Sequence, residues 1–213
     1  MKLLEVKDNR TKKEFLDVAR MVYQKDKNWV CPLDKDIESV FDPKQNSSFN
    51  HGTAARWVLK EESGKLIGRI AAFIDFNSLD DQDQPTGGCG FFECIDDQSA
   101  AEMLFNAARG WLEGHQMKAM DGPINFGETD KFWGLLVDGF TQPSYKVAYN
   151  PPYYQKLFES YGFKTFYKQE GFHFDLSHPI GKRFTRIAQR ITANSDYTFE
   201  HFRFKEMDKY VAD

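Results

Sequence analysis

The sequence predicts an α/β protein in which a mixed central sheet is flanked by helices. Consecutive strand patterns at 54–61, 65–75 and 87–95 favour antiparallel pairing in the middle of the sheet. The strand pattern at 87–95 runs directly into a long amphipathic helix, and another strand pattern follows at 118–126. Because two strands joined through a helix pair in parallel, this order indicates a crossover. The predicted order is β-α-α-β-β-β-α-β-α-β-β.

The first third of the chain contains a short strand at 3–7, two helices and a hairpin. The first helix starts at Thr11 and carries a core-facing stripe with helical spacing, formed by Phe15, Val18, Ala19 and Val22. Pro32 and Pro43 flank a second, short helix. The turn "ESGK" joins the strands at 54–61 and 65–75 through its Ser-Gly centre, which is typical of a hairpin.

The rest of the chain is predicted as helix, strand, helix and hairpin. The helix at 99–113 has six apolar residues on one face and Gly114 as its C-cap: Ala101, Leu104, Phe105, Ala108, Trp111 and Leu112. A later helix is opened by Pro151 and Pro152 and closed by Gly162. Residues 163–176 are predicted to form a final hairpin around Glu170-Gly171.

Composition favours a soluble cytoplasmic protein. The net charge of −4 gives no overall attraction for nucleic acid or an anionic membrane, and no run is long and apolar enough to span a bilayer. The three cysteines lack the spacing of a disulfide framework, which suggests a reducing compartment. Cys89 and Cys94 are expected on opposite faces of one strand, as buried apolar residues. The five histidines show no paired metal-ligand spacing, so no metal is expected.

Two segments carry a resemblance to a known family: "GFFECIDDQSAAEMLFNAARGWL" as strand and helix, and "NPPYYQKLFESYGF" as the later helix. With the element order, they resemble the GNAT superfamily of acyl-CoA-dependent N-acyltransferases over about residues 2–176. The resemblance implies transfer of an acyl group from acetyl-CoA or another acyl-CoA to a small-molecule or peptide amine. The alternative is a non-catalytic GNAT-like module that binds a ligand or a companion domain.

Further segments are similar to a bacterial GNAT branch in which a second GNAT-like unit follows the first: "NWVCPL", "GRIAAF", "GPINF", "GLLVDGF" and "YNPPYY". Residues 1–176 are then the GNAT-like domain. Residues 177–213 are expected to contain a connecting helix, "PIGKRFTRIAQRI", and the first strand and helix of a second unit. We expect that the chain is cut short within that second unit, which is its implied partner domain.

The resemblance implies acyl-CoA contacts at Ile95, Gln98, Ser99 and Ala100, and at Asn150 and Tyr154. The family holds the CoA pyrophosphate on a Gln/Arg-x-x-Gly-x-Gly/Ala loop, and of this motif only the small Ala100 is present. Ser99 and Glu102 instead have the spacing of a capping box, which would use the N–H groups that a phosphate needs. Asp96 and Asp97 also add negative charge. The structural alternative is therefore a well-capped helix.

The family's proton donor is also replaced. Phe158 stands where many GNAT enzymes have a tyrosine that protonates the leaving thiolate. Tyr154 lies one helical turn earlier on the same face, with Tyr153 beside it, so either phenol could serve as the acid. The structural alternative is that both rings pack and their hydroxyls bond to solvent.

Glu93 is the candidate general base, because burial in "CGFFECI" would raise its pKa. Arg69 is the structural competitor. If the strands pair symmetrically about Asp81, Arg69 faces Glu93 in a cross-strand salt bridge, which would depress the pKa of the carboxyl.

Two surface patterns each leave two interpretations open. Aromatic residues in or beside loops either line a ligand cleft or pack against a second unit: Trp29, Phe49, Trp57, Phe132, Trp133, Tyr145, Tyr149, Tyr153 and Tyr154. Four basic residues, opposite an apolar stripe of the connecting helix, form either a solvated face or a site for an anionic partner: Lys182, Arg183, Arg186 and Arg190.

Overall fold

The computed structural model describes residues 1–79, 84–175, 177–194 and 196–211. The chain divides into two compact units, residues 1–165 and residues 166–213. The domain boundary expected at residue 176 falls outside the described residues, as does Asp81, the centre of the symmetric strand pairing.

The first unit is built on a five-stranded mixed sheet, which confirms the predicted fold class. Its strands lie side by side in chain order, β1 to β5, and the first three pairings are antiparallel while β4 and β5 are parallel. The strands are β1 (Lys2–Glu5), β2 (Gly52–Lys60), β3 (Leu66–Asp75), β4 (Thr86–Cys94) and β5 (Ala119–Asp121).

Four helices of this unit cover the two faces of the sheet: α1 (Asn9–Val22), α2 (Asp34–Val40), α3 (Gln98–Gly114) and α4 (Tyr154–Tyr161). The predicted stripe of α1 is confirmed, because Phe15 and Val18 are fully buried in a cluster with Ile37 and Val40 of α2. The apolar face of α3 packs on the opposite side of the sheet together with Leu157 and Phe158 of α4. The sheet therefore lies between two helical layers.

A β-bulge in β4 changes which residues share a face. Arg69 pairs with Glu93, whereas Ala71 pairs with Gly90, so the register shifts between them. Phe91 lies at the shift with a φ of 50°, and a bulge of this kind inserts one extra residue into a strand. The expectation that Cys89 and Cys94 point to opposite faces was therefore wrong: both are buried in the α3-side cluster.

The strand predicted at 118–126 is only three residues long. After β5 the chain turns across β4, where the Ile124 N–H donates to the Cys89 carbonyl at 2.8 Å. A Cβ atom on Gly90 would lie 1.9 Å from the Ile124 carbonyl oxygen, so this crossing requires a glycine. The residues after Asp121 leave the sheet, and a continuous strand to residue 126 does not form.

Two helix ends test the predicted C-caps. Gly162 closes α4 with a φ of 115°, as predicted. Gly114 remains inside α3, and His115 is the C-cap with a φ of −101°. A cap with negative φ does not need glycine, so the glycine at 114 is not the stop signal that the sequence indicated.

The second unit contains α5 (Lys182–Thr192) and α6 (Met207–Val211), with a 3₁₀ turn at Phe204–Glu206. A helix is thereby confirmed in the segment 179–191, and its role as a connection to a second unit stays a prediction. The hairpin at 163–176 and the strand after Tyr197 were wrong, because no strand occurs among the described residues beyond Asp121. Apart from Glu206 and Tyr210, every described residue of this unit is exposed. Register in a strand is strongly specified only where one face is buried, and the described apolar residues of this unit are exposed.

No helix within the described ranges is long and apolar enough to cross a membrane.

Candidate functional site

A cavity of about 360 Å³ opens beside the carboxyl-terminal half of β4. It is bounded by α1, α2, β3, β4, α4 and the loops at 29–33, 132–135 and 143–150. Most of its walls are aromatic or aliphatic, and Trp29, Ile37, Phe91, Phe132 and Tyr149 contribute to them. Small-molecule sites have volumes of about 300–1,000 Å³ and mostly apolar linings with a few polar groups. The cavity is thus of a size for a small ligand.

Glu93 lies in the cavity wall and is held by two partners. Its Oε1 atom is 3.4 Å from Arg69 Nη2, and its Oε2 atom accepts a hydrogen bond of 2.8 Å from the Tyr154 hydroxyl. The side chains of Arg69 and Glu93 are only 5% and 12% exposed. The predicted cross-strand pair is confirmed, and both its members line the cavity.

The pKa of Glu93 nevertheless moves upwards. Burial raises the pKa of this carboxyl by destabilising its charged form, while the Arg69 guanidinium and the hydroxyls of Tyr23 and Tyr154 oppose that rise. Burial outweighs all three. Of the two alternatives, the raised pKa predicted from burial is therefore the one found, and the depressed pKa expected for a paired carboxylate was wrong, although the pairing was right.

The two candidate tyrosines converge on the backbone of Cys94. The Cys94 N–H donates to the Tyr154 hydroxyl at 2.8 Å, and the Tyr153 hydroxyl donates to the Cys94 carbonyl at 2.7 Å. Burial raises the pKa of both phenols. Neither hydroxyl relies on solvent, in contrast to the structural alternative for these residues. Tyr154 thus links the end of β4 to the Glu93 carboxylate.

Phe158 has a packing role one turn after Tyr154. Its ring lies 5.0 Å from that of Phe92 and 4.8 Å from that of Phe105, in edge-to-face arrangements. These contacts join α4 to β4 and α3, and they set the position at which Tyr154 meets Glu93.

The start of α3 is capped by Asp97. Its Oδ1 atom accepts a hydrogen bond from the Ala100 N–H at 3.1 Å. The capping box predicted for Ser99 was wrong, because the helix begins at Gln98 and Asp97 is its N-cap. The N–H groups of Gln98 and Ser99 meet no acceptor within the described part of the chain.

This helix start is a poor fit for a pyrophosphate. One donor, the Ala100 N–H, is used by Asp97, and Asp96 and Asp97 add two negative charges immediately before the helix. The Ile95 N–H donates to the Ile67 carbonyl at 3.0 Å, and the Gln98 side-chain amide contacts the Leu157 carbonyl at 3.5 Å. Of the four residues at 95–100 that the resemblance assigns to acyl-CoA, Ile95 and Ala100 have N–H groups that are occupied within the protein, whereas those of Gln98 and Ser99 meet no acceptor among the described residues.

Asn150, also predicted to contact acyl-CoA, shapes the cavity wall. Its Oδ1 atom accepts the Leu136 N–H at 2.7 Å, and its amide donates to the carbonyls of Leu136 and Pro151, each at 3.0 Å. Asn150 is only 6% exposed. It fixes the loop before α4 against the loop at 134–136, and it also lines the cavity.

The predicted aromatic ring is divided between lining and packing. Trp29, Phe132, Tyr145, Tyr149 and Tyr154 line the cavity. By contrast, the Phe49 ring packs against that of Phe126 at 4.9 Å, and the Trp57 ring packs against that of Trp111 at 6.4 Å. The cleft interpretation therefore holds for about half of the set, and Trp133 and Tyr153 are also outside the lining.

Sequence reasoning missed Tyr23. Its ring stacks on Trp29 at 4.7 Å, and its hydroxyl donates to the Tyr149 carbonyl at 3.2 Å. Tyr149 in turn donates to Asp26 at 2.8 Å. Tyr23 follows Ala19 by four residues, so the α1 stripe could have been extended by one position to include it.

No protein-family model and no curated protein matches this chain. Among solved structures, it is similar to a protein from Pyrococcus furiosus described provisionally as an acetyl transferase, with 14% sequence identity and a TM-score of 0.45. The similarity covers 81% of this chain and 100% of that one. At such values no activity can be transferred, so the function has to follow from the geometry of the site.

Proposed function

We propose that this protein is an acyltransferase that moves an acyl group from a thioester, acyl-CoA, to an amine bound in the Glu93 cavity. The observation that carries the proposal is a buried carboxylate with a raised pKa in the wall of a small, mainly apolar cavity. A raised pKa makes the ionised carboxylate a stronger base, and attack by an amine requires a base.

The proposed reaction uses Glu93 as base and Tyr154 as acid. The amine nitrogen attacks the thioester carbonyl, a C–N bond forms, the C–S bond breaks and Glu93 takes the proton released from nitrogen. Tyr154 gives its proton to the departing thiolate and recovers one from Glu93, to which it is hydrogen-bonded at 2.8 Å. A raised pKa supports this role, because it keeps the phenol protonated between turnovers.

In this reaction, the pyrophosphate of the acyl-CoA donor does not bind at the start of α3. The carboxylates of Asp96 and Asp97 would repel a phosphate at that position. Two like charges in close contact repel each other by on the order of 1 kcal/mol even in water. Only the thioester end of the donor has to reach the cavity for the reaction to occur.

The test is release of free thiol from acetyl-CoA in the presence of a panel of small amines and amino-terminal peptides. Glu93→Gln should lower the rate by about 10²–10⁴-fold, the usual contribution of a general base. Glu38→Gln is the matched control, since Glu38 is ion-paired to a buried arginine, Arg56, but does not line the cavity. Equal rates in wild type and Glu93→Gln, or no thiol release with any amine, would contradict the proposal.

A second candidate is a binding module without acyl transfer. It is favoured by the backbone of Cys94, whose N–H and carbonyl are both occupied by tyrosine hydroxyls, and by the capped start of α3. An amine that raises the melting temperature of the protein without any release of thiol from acetyl-CoA would support this module over the enzyme.

A further inference from the structure

The charged side chains in the cavity wall balance one another. Among the described residues, four charged ones line it, two acidic and two basic: Asp36, Glu93, Arg69 and Lys146. Asp36 also accepts a hydrogen bond of 2.6 Å from Tyr145. A site with balanced charges gives no net attraction to a simple cation or anion, so it favours a ligand that is itself neutral overall.

One hydrogen-bond donor of Arg69 has no acceptor among the described residues. It is 4% exposed, its Nη1 atom donates to the Phe15 carbonyl at 2.8 Å, and its Nη2 atom makes the 3.4 Å contact to Glu93. Its buried Nε–H has no acceptor within the described residues. An unpaired buried donor is costly, and a charged one more so. Because Arg69 lines the cavity, an oxygen acceptor on a bound ligand would lie beside this incompletely bonded guanidinium.

We propose that the amine acceptor is an α-amino acid with a free carboxylate and a large apolar or aromatic side chain. This inference rests on the proposed function, since it names the substrate class of the same site. The carboxylate would accept hydrogen bonds from Arg69, and the amino group would lie at Glu93. The two protein groups are 3.4 Å apart, which suits the amine and carboxylate carried by a single carbon atom.

The remaining walls suit the side chain of such a ligand. Trp29, held flat against Tyr23 at 4.7 Å, faces the cavity together with Phe91 and Phe132. Aromatic walls bury apolar area at low entropic cost, because their rings have few rotatable bonds. These walls would therefore bind a large apolar side chain of the ligand better than a small or charged one.

The test is ligand binding in the absence of any acyl donor, measured by calorimetry on the full chain. L-phenylalanine is compared with phenethylamine, which lacks the carboxylate, with 3-phenylpropanoate, which lacks the amine, and with glycine, which lacks the ring. Each deletion should weaken binding at least about tenfold, as expected for loss of a charged hydrogen bond or a buried ring. Equal binding of phenethylamine or 3-phenylpropanoate, or no binding of L-phenylalanine at millimolar concentration, would overturn the inference.

A variant pair assigns the carboxylate to Arg69. Arg69→Lys should reduce the preference for L-phenylalanine over phenethylamine at least about tenfold, because lysine cannot reproduce the guanidinium fork. Arg56→Lys is the control: it too is a buried, ion-paired arginine over the Phe15 ring, but it is absent from the cavity wall. If Arg69→Lys does not fold, Arg69→Met with Glu93→Gln removes the pair without leaving a buried charge, and the same loss is expected. A preference that survives in the folded variant contradicts the assignment.

The binding and thiol-release experiments together distinguish a failure of the proposed substrate class from a failure of the proposed acyl transfer. Selective binding of L-phenylalanine without thiol release would support the substrate class and contradict acyl transfer. Thiol release with amines that lack a carboxylate, at rates equal to those with L-phenylalanine, would support acyl transfer and overturn the substrate class.

Discussion

At the scale of single residues, the site depends on one carboxylate and the groups that hold it. Glu93 is positioned by Arg69 from the neighbouring strand and by Tyr154 from α4. Burial pushes its pKa upwards and its partners push it downwards, and burial prevails. The balance leaves a carboxyl that can change its protonation state during a reaction, unlike an exposed ion pair.

The raised pKa of Glu93 predicts a stability that depends on pH. The folded protein binds this proton more tightly than the unfolded chain, so the group's contribution to stability is complete below its ordinary pKa of 4.5. That contribution is lost as the pH rises through the folded pKa. Because Glu93→Gln cannot ionise, the unfolding free energy of wild type minus that of the variant should fall across this window. Urea denaturation at a series of pH values measures it, and a difference independent of pH would contradict the prediction.

Tyr154→Phe removes a hydroxyl that has two buried partners. The Cys94 N–H loses its acceptor and Glu93 loses a donor, so we expect a destabilisation of about 1–3 kcal/mol in chemical denaturation. Tyr161→Phe is the matched control on the same helix, because the Tyr161 hydroxyl donates to Asn106 at the surface. It should cost less than about 0.5 kcal/mol. Equal losses in the two variants would refute the network.

The pairing of Arg69 with Glu93 could be predicted from strand symmetry alone. For the direction of the Glu93 pKa the sequence left two alternatives, raised by burial or lowered by Arg69, because the outcome depends on how completely helices from distant parts of the chain cover the strand. The course of the cavity loops escaped prediction for the same reason, since contacts such as that of the Tyr149 carbonyl with Tyr23 join residues more than a hundred positions apart.

At the scale of elements, β4 and α3 determine where the site lies. The bulge at Phe91 keeps Cys89 and Cys94 on the α3 side, and it leaves Glu93 on the side of α1 with Arg69. Asp97 then starts α3 directly after the strand. The bulge is a change of register that a strictly alternating pattern cannot reveal.

The N-cap of α3 is tested by two alanine substitutions. Asp97→Ala should lower the unfolding free energy by about 0.5–2 kcal/mol, because it removes the acceptor for the Ala100 N–H. Ser99→Ala should have almost no effect, since Ser99 lies inside the helix and is exposed. Thermal denaturation of both variants measures the difference. A larger loss of stability for Ser99→Ala than for Asp97→Ala would support the capping box predicted from the sequence.

Two glycines test the crossing of the chain over β4. Gly90→Ala should destabilise the protein by several kcal/mol or prevent folding, because its Cβ would lie 1.9 Å from the Ile124 carbonyl oxygen. Gly110→Ala, on the open face of α3, should instead stabilise it by roughly 0.5–1 kcal/mol. Equivalent melting temperatures for the two variants would show that the close approach at Gly90 is absent.

At the scale of the whole molecule, the order of elements through α4 followed from periodicity and turn residues. The long loop between β5 and α4, which closes much of the cavity, carries no periodic pattern, and its course is set by contacts such as those of Asn150. Beyond residue 165, helix periodicity predicted α5 correctly, whereas the strand patterns failed, since the described residues there form no strand. Local signals thus predicted the scaffold, and long-range packing made the site.

The most direct test of the central claim, that Glu93 is the base for acyl transfer, is the pH profile of thiol release from acetyl-CoA. In wild type, kcat/KM should rise with pH through the raised pKa of Glu93, because only the ionised carboxylate accepts a proton. In Glu93→Gln, this limb should be absent and the rate at its plateau about 10²–10⁴-fold lower. Profiles of the same shape and height in both proteins would contradict the claim.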